Sequence, residues 1–144
     1  MDAKVFFGSS EVEGSSFEDR VSPYSSKVVS RAPICSADDA IKALKIAHLA
    51  SKEAKKSTLS QRCNWILDVA SKMKEQREDI AQTITDEVAK PITFARIEVD
   101  RAIETLTLSA ETMRTMHGET INTDAMNSGK KTIAFFRREG GVLL

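Results

Sequence analysis

The chain lacks the features that most directly announce a chemistry. Its glycines are six, Gly8, Gly14, Gly118, Gly129, Gly140 and Gly141, and they compose neither a Gly-x-Gly-x-x-Gly turn nor a phosphate-binding loop. Two cysteines, Cys35 and Cys63, and two histidines, His48 and His117, form no Cys-x-x-Cys, no His-Glu-x-x-His and no metal-ligand cluster. Two cysteines also exclude a dense disulfide framework, so a cytoplasmic protein is the default expectation. Neither sign of charge is in excess: lysine plus arginine number 21, as do aspartate plus glutamate, for a net charge of zero. Such a chain has no field that would draw nucleic acid or an anionic membrane to it, and neither is expected as a partner. No apolar run approaches the roughly 20 residues of a membrane span. The opening Met1-Asp2-Ala3-Lys4 carries mixed charge and no long apolar stretch, unlike a signal peptide.

What is present fits a folded globular chain. Hydrophobic residues make up 41% and charged residues 29% of 144, a length that buries a sizeable core. Residues 1–35 read as short strands and turns. Val5-Phe6-Phe7 is a strand-like run ending at Gly8, and residues 17–21 and 27–32 are further strands, the last carrying β-branched Val28 and Val29. Ser9-Ser10, Gly14-Ser15-Ser16 and Ser22-Pro23 punctuate them as turns.

Helical spacing then takes over across residues 36–117. Ser36 before Ala37-Asp38-Asp39 is an N-cap with acids in the first turn, and Ile41, Leu44 and Ala47 follow at helical intervals. A second helix starts near Ser57-Thr58, with Cys63, Ile66, Leu67, Ala70 and Met73 on one stripe. The polar residues 74–79 interrupt that stripe before Ile80, Ile84 and Val88 resume it, as one kinked helix or two consecutive ones. Pro91 places a boundary at Lys90 and suits the start of the next helix. That third helix, about 25 residues long, carries Ile92, Ala95, Val99, Ala102, Ile103, Leu106, Ala110 and Met113, with Gly118 as its C′ residue. Thr120 to Thr123 and 132–138 read as two strands joined by a turn at Asn127-Ser128-Gly129. Ile133 and Phe135 face one way, Ala134 and Phe136 the other, so at least one face is expected to pack against something. Gly140-Gly141 then precedes Val142-Leu143-Leu144, the opening of a buried parallel strand.

Weighed singly, the reactive side chains favour plain roles. Cys63 lies on an apolar helical stripe and Cys35 precedes an N-cap; both read as structural. His117 has no nucleophile or carboxylate tied to it by a motif. Glu75, Glu78 and Asp79 read as a solvated face. Arg137-Arg138 beside Phe135-Phe136 reads as charge protecting a strand edge. Arg101 reads as the partner of Glu98 or Glu104, one turn away.

Several phrases, in order, resemble the start of an aldehyde dehydrogenase. They are Val21-Ser22-Pro23-Tyr24 with Lys27-Val28-Val29, Ser36-Ala37-Asp38-Asp39-Ala40-Ile41-Lys42-Ala43-Leu44, and Leu59-Ser60-Gln61-Arg62 with Ile66-Leu67. Glu87-Val88-Ala89-Lys90-Pro91 is similar to the family's Glu-x-Gly-Lys-Pro, with Ala89 in place of glycine. Glu98-Val99-Asp100-Arg101-Ala102 is similar to its Glu-Val-x-Arg helix, and Arg137-Arg138-Glu139-Gly140-Gly141-Val142 to its Arg-Arg-Glu-Pro-x-Gly-Val, with the proline absent and one residue fewer. Each phrase alone is weak; their order and spacing span nearly the whole chain. Phosphorylated-aldehyde, succinate-semialdehyde and lactaldehyde-type members are the most similar in style.

The resemblance implies an α/β, aldehyde-dehydrogenase-like fold. Residues 1–35 would supply N-terminal strands and turns, 36–117 three long helices of the cofactor-binding domain, 118–139 an oligomerisation hairpin, and 140–144 the start of a truncated Rossmann-like sheet. It implies an enzyme that oxidises an aldehyde through a cysteine thiohemiacetal and thioester, passing hydride to NAD or NADP. It implies a homo-oligomer held through the 119–138 hairpin. None of the family's catalytic, cofactor-binding or metal residues carries over: the asparagine-bearing segment would begin after Leu144, with the glycine-rich turn, the glutamate and the cysteine beyond it. Arg101 falls on the helix that borders the substrate entrance in the family, and Glu87 near the place where some members hold a structural monovalent cation. As an isolated piece the chain would be inactive and would associate through uncovered apolar surface. The competing expectation is a complete, non-enzymatic helical module of the same descent that binds a partner. It is motivated by Gly140 standing where the family has proline, and turns on the face carrying Ile133, Phe135 and Val142.

Overall fold

In a computed structural model, which describes residues 2–125 and 132–136, short hairpins flank a set of helices. The order is β1 (Val5–Phe7), β2 (Ser10–Val12), β3 (Ser16–Val21), β4 (Val28–Ile34), α1 (Ala37–Ala54), α2 (Leu59–Glu75), α3 (Arg77–Val88), α4 (Ile92–Thr115), β5 (Glu119–Asn122), a 3-10 turn at Thr123–Ala125, and β6 (Thr132–Phe135). The strands pair antiparallel as β1-β2, β3-β4 and β5-β6. The turn expected at 127–129 and residues 137–144 lie outside the described residues.

Ser10, expected in a turn, opens β2 instead. Gly8 adopts φ 64, a left-handed conformation that costs glycine little, so the chain reverses within Gly8-Ser9 and pairs Phe7 with Ser10. The β3-β4 hairpin holds the N-terminal segment against it. Asp2 and Arg31 form an ion pair at 2.9 Å, Ala3 N–H donates to the Arg31 carbonyl at 2.8 Å, and the Arg31 guanidinium sits 5.7 Å from the Phe17 ring centroid.

The first two predicted helix starts are capping boxes. Ser36 Oγ accepts from Asp39 N–H at 3.2 Å while Asp39 Oδ2 accepts from Ser36 N–H at 3.0 Å. Thr58 and Gln61 do the same for α2, at 3.2 and 2.8 Å. The Ser36 hydroxyl, then the Ser36 N–H and Lys42, hold the Asp39 carboxyl down at about 2. A carboxyl whose folded value is depressed contributes stability above its unfolded value, about 3.9, and loses it as the pH falls through the folded one. The helical signal of Asp39→Asn, followed by circular dichroism, should therefore lack the part of the wild-type acid titration lying between about pH 4 and 2; superimposable curves would refute the role of this carboxylate.

Of the two alternatives for the second helical stretch, the structure has two consecutive helices divided at Gln76, which makes four helices where the resemblance implied three. Gln76 lies at φ −99 and ψ 15; its N–H closes α2 on the Lys72 carbonyl, and its own carbonyl opens α3 by accepting from Ile80. α4 runs 24 residues, close to expectation. Gly118 is not its C′ residue. The helix stops at Thr115 and its last cap is Met116, in extended geometry. Gly118 serves a close approach instead: a Cβ there would collide with the Phe135 carbonyl oxygen.

The core belongs to the last three helices. Ala81 of α3 and Ala95 and Val99 of α4 form one buried cluster, flanked by Ile80, Ile84, Ile92 and Ile103. Cys63 and Ala70 of α2 and Ala110 of α4 are buried as well. Small side chains at these positions let the helices approach closely. α1 buries no residue, and Ile41, Leu44, Ile46 and Leu49 are exposed along it. Among the described residues no helix is long and apolar enough to cross a membrane.

Candidate functional site

The two phrases that best carry the resemblance, residues 87–91 and 98–102, are joined in space at the α3–α4 junction. Ala89 ends α3 in the left-handed region, at φ 56 and ψ 27, and turns the chain into Pro91, whose carbonyl receives the first helical bonds of α4 from Phe94 and Ala95. The turn brings Lys90 onto Glu98, and the two form an ion pair. Alanine there carries a strain of about 1–2 kcal/mol that glycine would not. Ala89→Gly should accordingly raise unfolding stability by about 1 kcal/mol, after glycine's greater chain entropy is subtracted. A lowered midpoint in chemical denaturation would contradict this.

Two further ion pairs lock the same helices. Arg77 grips Asp100 with both guanidinium arms, Nη2 lying 2.6 Å from Oδ2, and Arg96 Nε lies 3.0 Å from Glu78 Oε2. Hydrogen bonding from Arg77 holds the Asp100 carboxyl below its usual range, and Arg96 does the same to Glu78. Glu78 is thus not part of a plain solvated face but an interhelical contact.

A cleft of about 310 Å³ opens between this junction and the β3-β4 turn; Ser22, Tyr24, Thr85, Asp86, Lys90 and Pro91 are among the residues lining it. Beside it, the Ser30 hydroxyl donates to Glu87 Oε1 at 2.6 Å, joining β4 to the end of α3. The Thr85 hydroxyl oxygen is buried and has no partner among the described residues.

Arg101 is exposed and does not pair with Glu98 or Glu104, contrary to the expectation from spacing. Lys90 has taken Glu98, and no carboxylate contacts Arg101 among the described residues. It shares the outward stripe of α4 with exposed Phe94, Ile97 and Leu108. A cation set in an apolar helix face can receive an anionic group while its neighbours cover carbon.

The other reactive side chains lie apart from this junction. Cys63 is fully buried between α2 and α4, its thiol donating to the Ala110 carbonyl at 3.5 Å. Cys35 is half-buried after β4. His117 follows α4, its Nδ1 3.0 Å from the Thr115 carbonyl oxygen. It lines a wider cleft, about 610 Å³, with Met116, Glu119, Phe135 and Phe136. No three His, Cys, Asp or Glu side chains among the described residues converge as metal ligands.

The profile of the aldehyde dehydrogenase family matches residues 11–143. Lactaldehyde dehydrogenase of Methanocaldococcus jannaschii is 31% identical over 121 residues, which are 84% of this chain and 25% of that protein. The structure is similar to NADP-dependent glyceraldehyde-3-phosphate dehydrogenase from Bacillus halodurans C-125, complexed with NADP, at a TM-score of 0.85 and 25% identity, covering 90% of this chain and 28% of the other. It is also similar to aldehyde dehydrogenase 21 from Physcomitrella patens in complex with the reaction product succinate, at a TM-score of 0.83 and 30% identity, covering 90% and 27%. The chain therefore spans about a quarter of the length of the relatives it matches.

Proposed function

Because the chain belongs to the aldehyde dehydrogenase family, we propose that it is the N-terminal portion of an NAD(P)-dependent aldehyde dehydrogenase. The whole enzyme oxidises an aldehyde to a carboxylate through a cysteine thiohemiacetal and thioester, and NAD or NADP takes up the hydride when bound. One observation carries this reading: a match along residues 11–143 that occupies only about a quarter of each relative.

Residues 36–117 serve the cofactor-binding domain as its helical part, with residues 1–35 as leading strands and turns. No dinucleotide-binding turn is found in this sequence, so cofactor and catalytic cysteine are held by the remaining length of the family's chain. The 119–138 hairpin is the oligomerisation arm. Its exposed Ile121, Ile133 and Phe135 support that role, since apolar side chains on a two-stranded ribbon favour a partner. Residues 140–144 begin the Rossmann-like sheet. Arg101 lies on the helix that would border the substrate entrance, and Glu87 lies near the place that would hold a structural monovalent cation. The protein works in the cytoplasm, which keeps thiols such as Cys35 and Cys63 reduced.

The test joins the coding DNA past the Leu144 codon with the mass and activity of the purified product. The expected frame continues into an apolar strand, an asparagine-bearing loop, a glycine-rich turn and a reactive cysteine. The 144-residue chain alone should form no NADH or NADPH from lactaldehyde, succinate semialdehyde or glyceraldehyde-3-phosphate, whereas the extended chain should. A stop codon directly after Leu144, with a matching mass, would overturn the proposal.

A second reading, a helical partner-binding module without catalysis, draws on the self-contained cluster of Ala81, Ala95 and Val99. A soluble monomer of these 144 residues that unfolds cooperatively would favour it, and an associating or molten chain would favour the enzyme portion.

A further inference from the structure

We draw no further inference here: the strongest candidate, the apolar groove along the outer face of α1 lined by Leu44, Lys45, His48 and Leu49, is an exposed helix face and nothing in the structure shows what covers it.

Discussion

Replacing Ala95 with leucine lowers unfolding stability by about 1–3 kcal/mol, while the same exchange at Ala50 changes it by no more than about 0.5 kcal/mol. Ala50 is exposed on α1, whereas Ala95 is fully buried beside Ala81 and Val99 at the crossing of α3 and α4. Alanine and leucine differ little in helix propensity, so the contrast isolates packing. The added carbons meet a surface at crystal-like density and force the helices apart. The separation also strains the flanking bonds of Arg77 to Asp100 and Arg96 to Glu78, which span the same two helices. Urea unfolding followed by circular dichroism reads both variants, with an unchanged slope confirming that the unfolding process is the same. Equal midpoints for the two variants would mean that the α3–α4 contact does not carry the stability of the bundle. Val99→Ala probes the same contact from the opposite side, by leaving a cavity rather than filling one.

How much of this was legible in the sequence follows from the reach of each interaction. The starts of α1 and α2 were readable because a capping box closes within four residues, Ser36 to Asp39 and Thr58 to Gln61. The break at Gln76 was only half readable. Ile80, Ile84 and Val88 resume the earlier period, so the pattern alone does not distinguish a bend from a division. Glycine after a helix commonly marks C′, yet Gly118 answers to the carbonyl of Phe135, a neighbour seventeen positions later whose approach leaves no local trace. The β2 strand was hidden because a serine pair reads as a turn, while the reversal rests on Gly8 alone.

The candidate site divides along the same line. The phrases ending in Pro91 and Ala102 were visible, but not the bonds between them. Helical spacing offers Arg101 either Glu98 or Glu104; the left-handed turn at Ala89 delivers Lys90 to Glu98, and Arg101 pairs with neither. The contact of Ser30 with Glu87 spans 57 positions and has no sequence signature. Oppositely charged Arg77-Glu78 and Arg96, Asp100 on consecutive helices did offer a signal, and reading the charges across the turn instead of within one helix would have found it. Family membership, by contrast, rests on no single contact. It comes from the order of many weak phrases, which is why it was readable where individual partners were not.

Gly118→Ala should disturb the pairing of β5 with β6 beside the end of α4 while leaving the helices intact. A Cβ at this position would lie inside 3.0 Å of the Phe135 carbonyl oxygen, closer than real Cβ atoms come, and within 3.4 Å of the carbonyl carbon. Both are backbone atoms, so no side-chain rotation relieves the contact; the strands must move. The strain falls on the pairing of Glu119 with Phe135, the register position nearest the helix, and spreads from there toward Asn122 and Thr132. Amide hydrogen exchange should accelerate at residues 119–122 and 132–135, with the protected amides of α2 and α4 keeping their rates. Adding Phe135→Ala to the variant separates two causes. If the clash is with the carbonyl, removing the ring restores nothing; recovery of protection in the double variant would place the obstruction at the aromatic side chain instead. Should the hairpin also join copies of the chain, as its exposed Ile121 and Ile133 favour, Gly118→Ala weakens self-association in parallel with the exchange rates, because a ribbon that no longer holds its register presents no fixed edge to a partner.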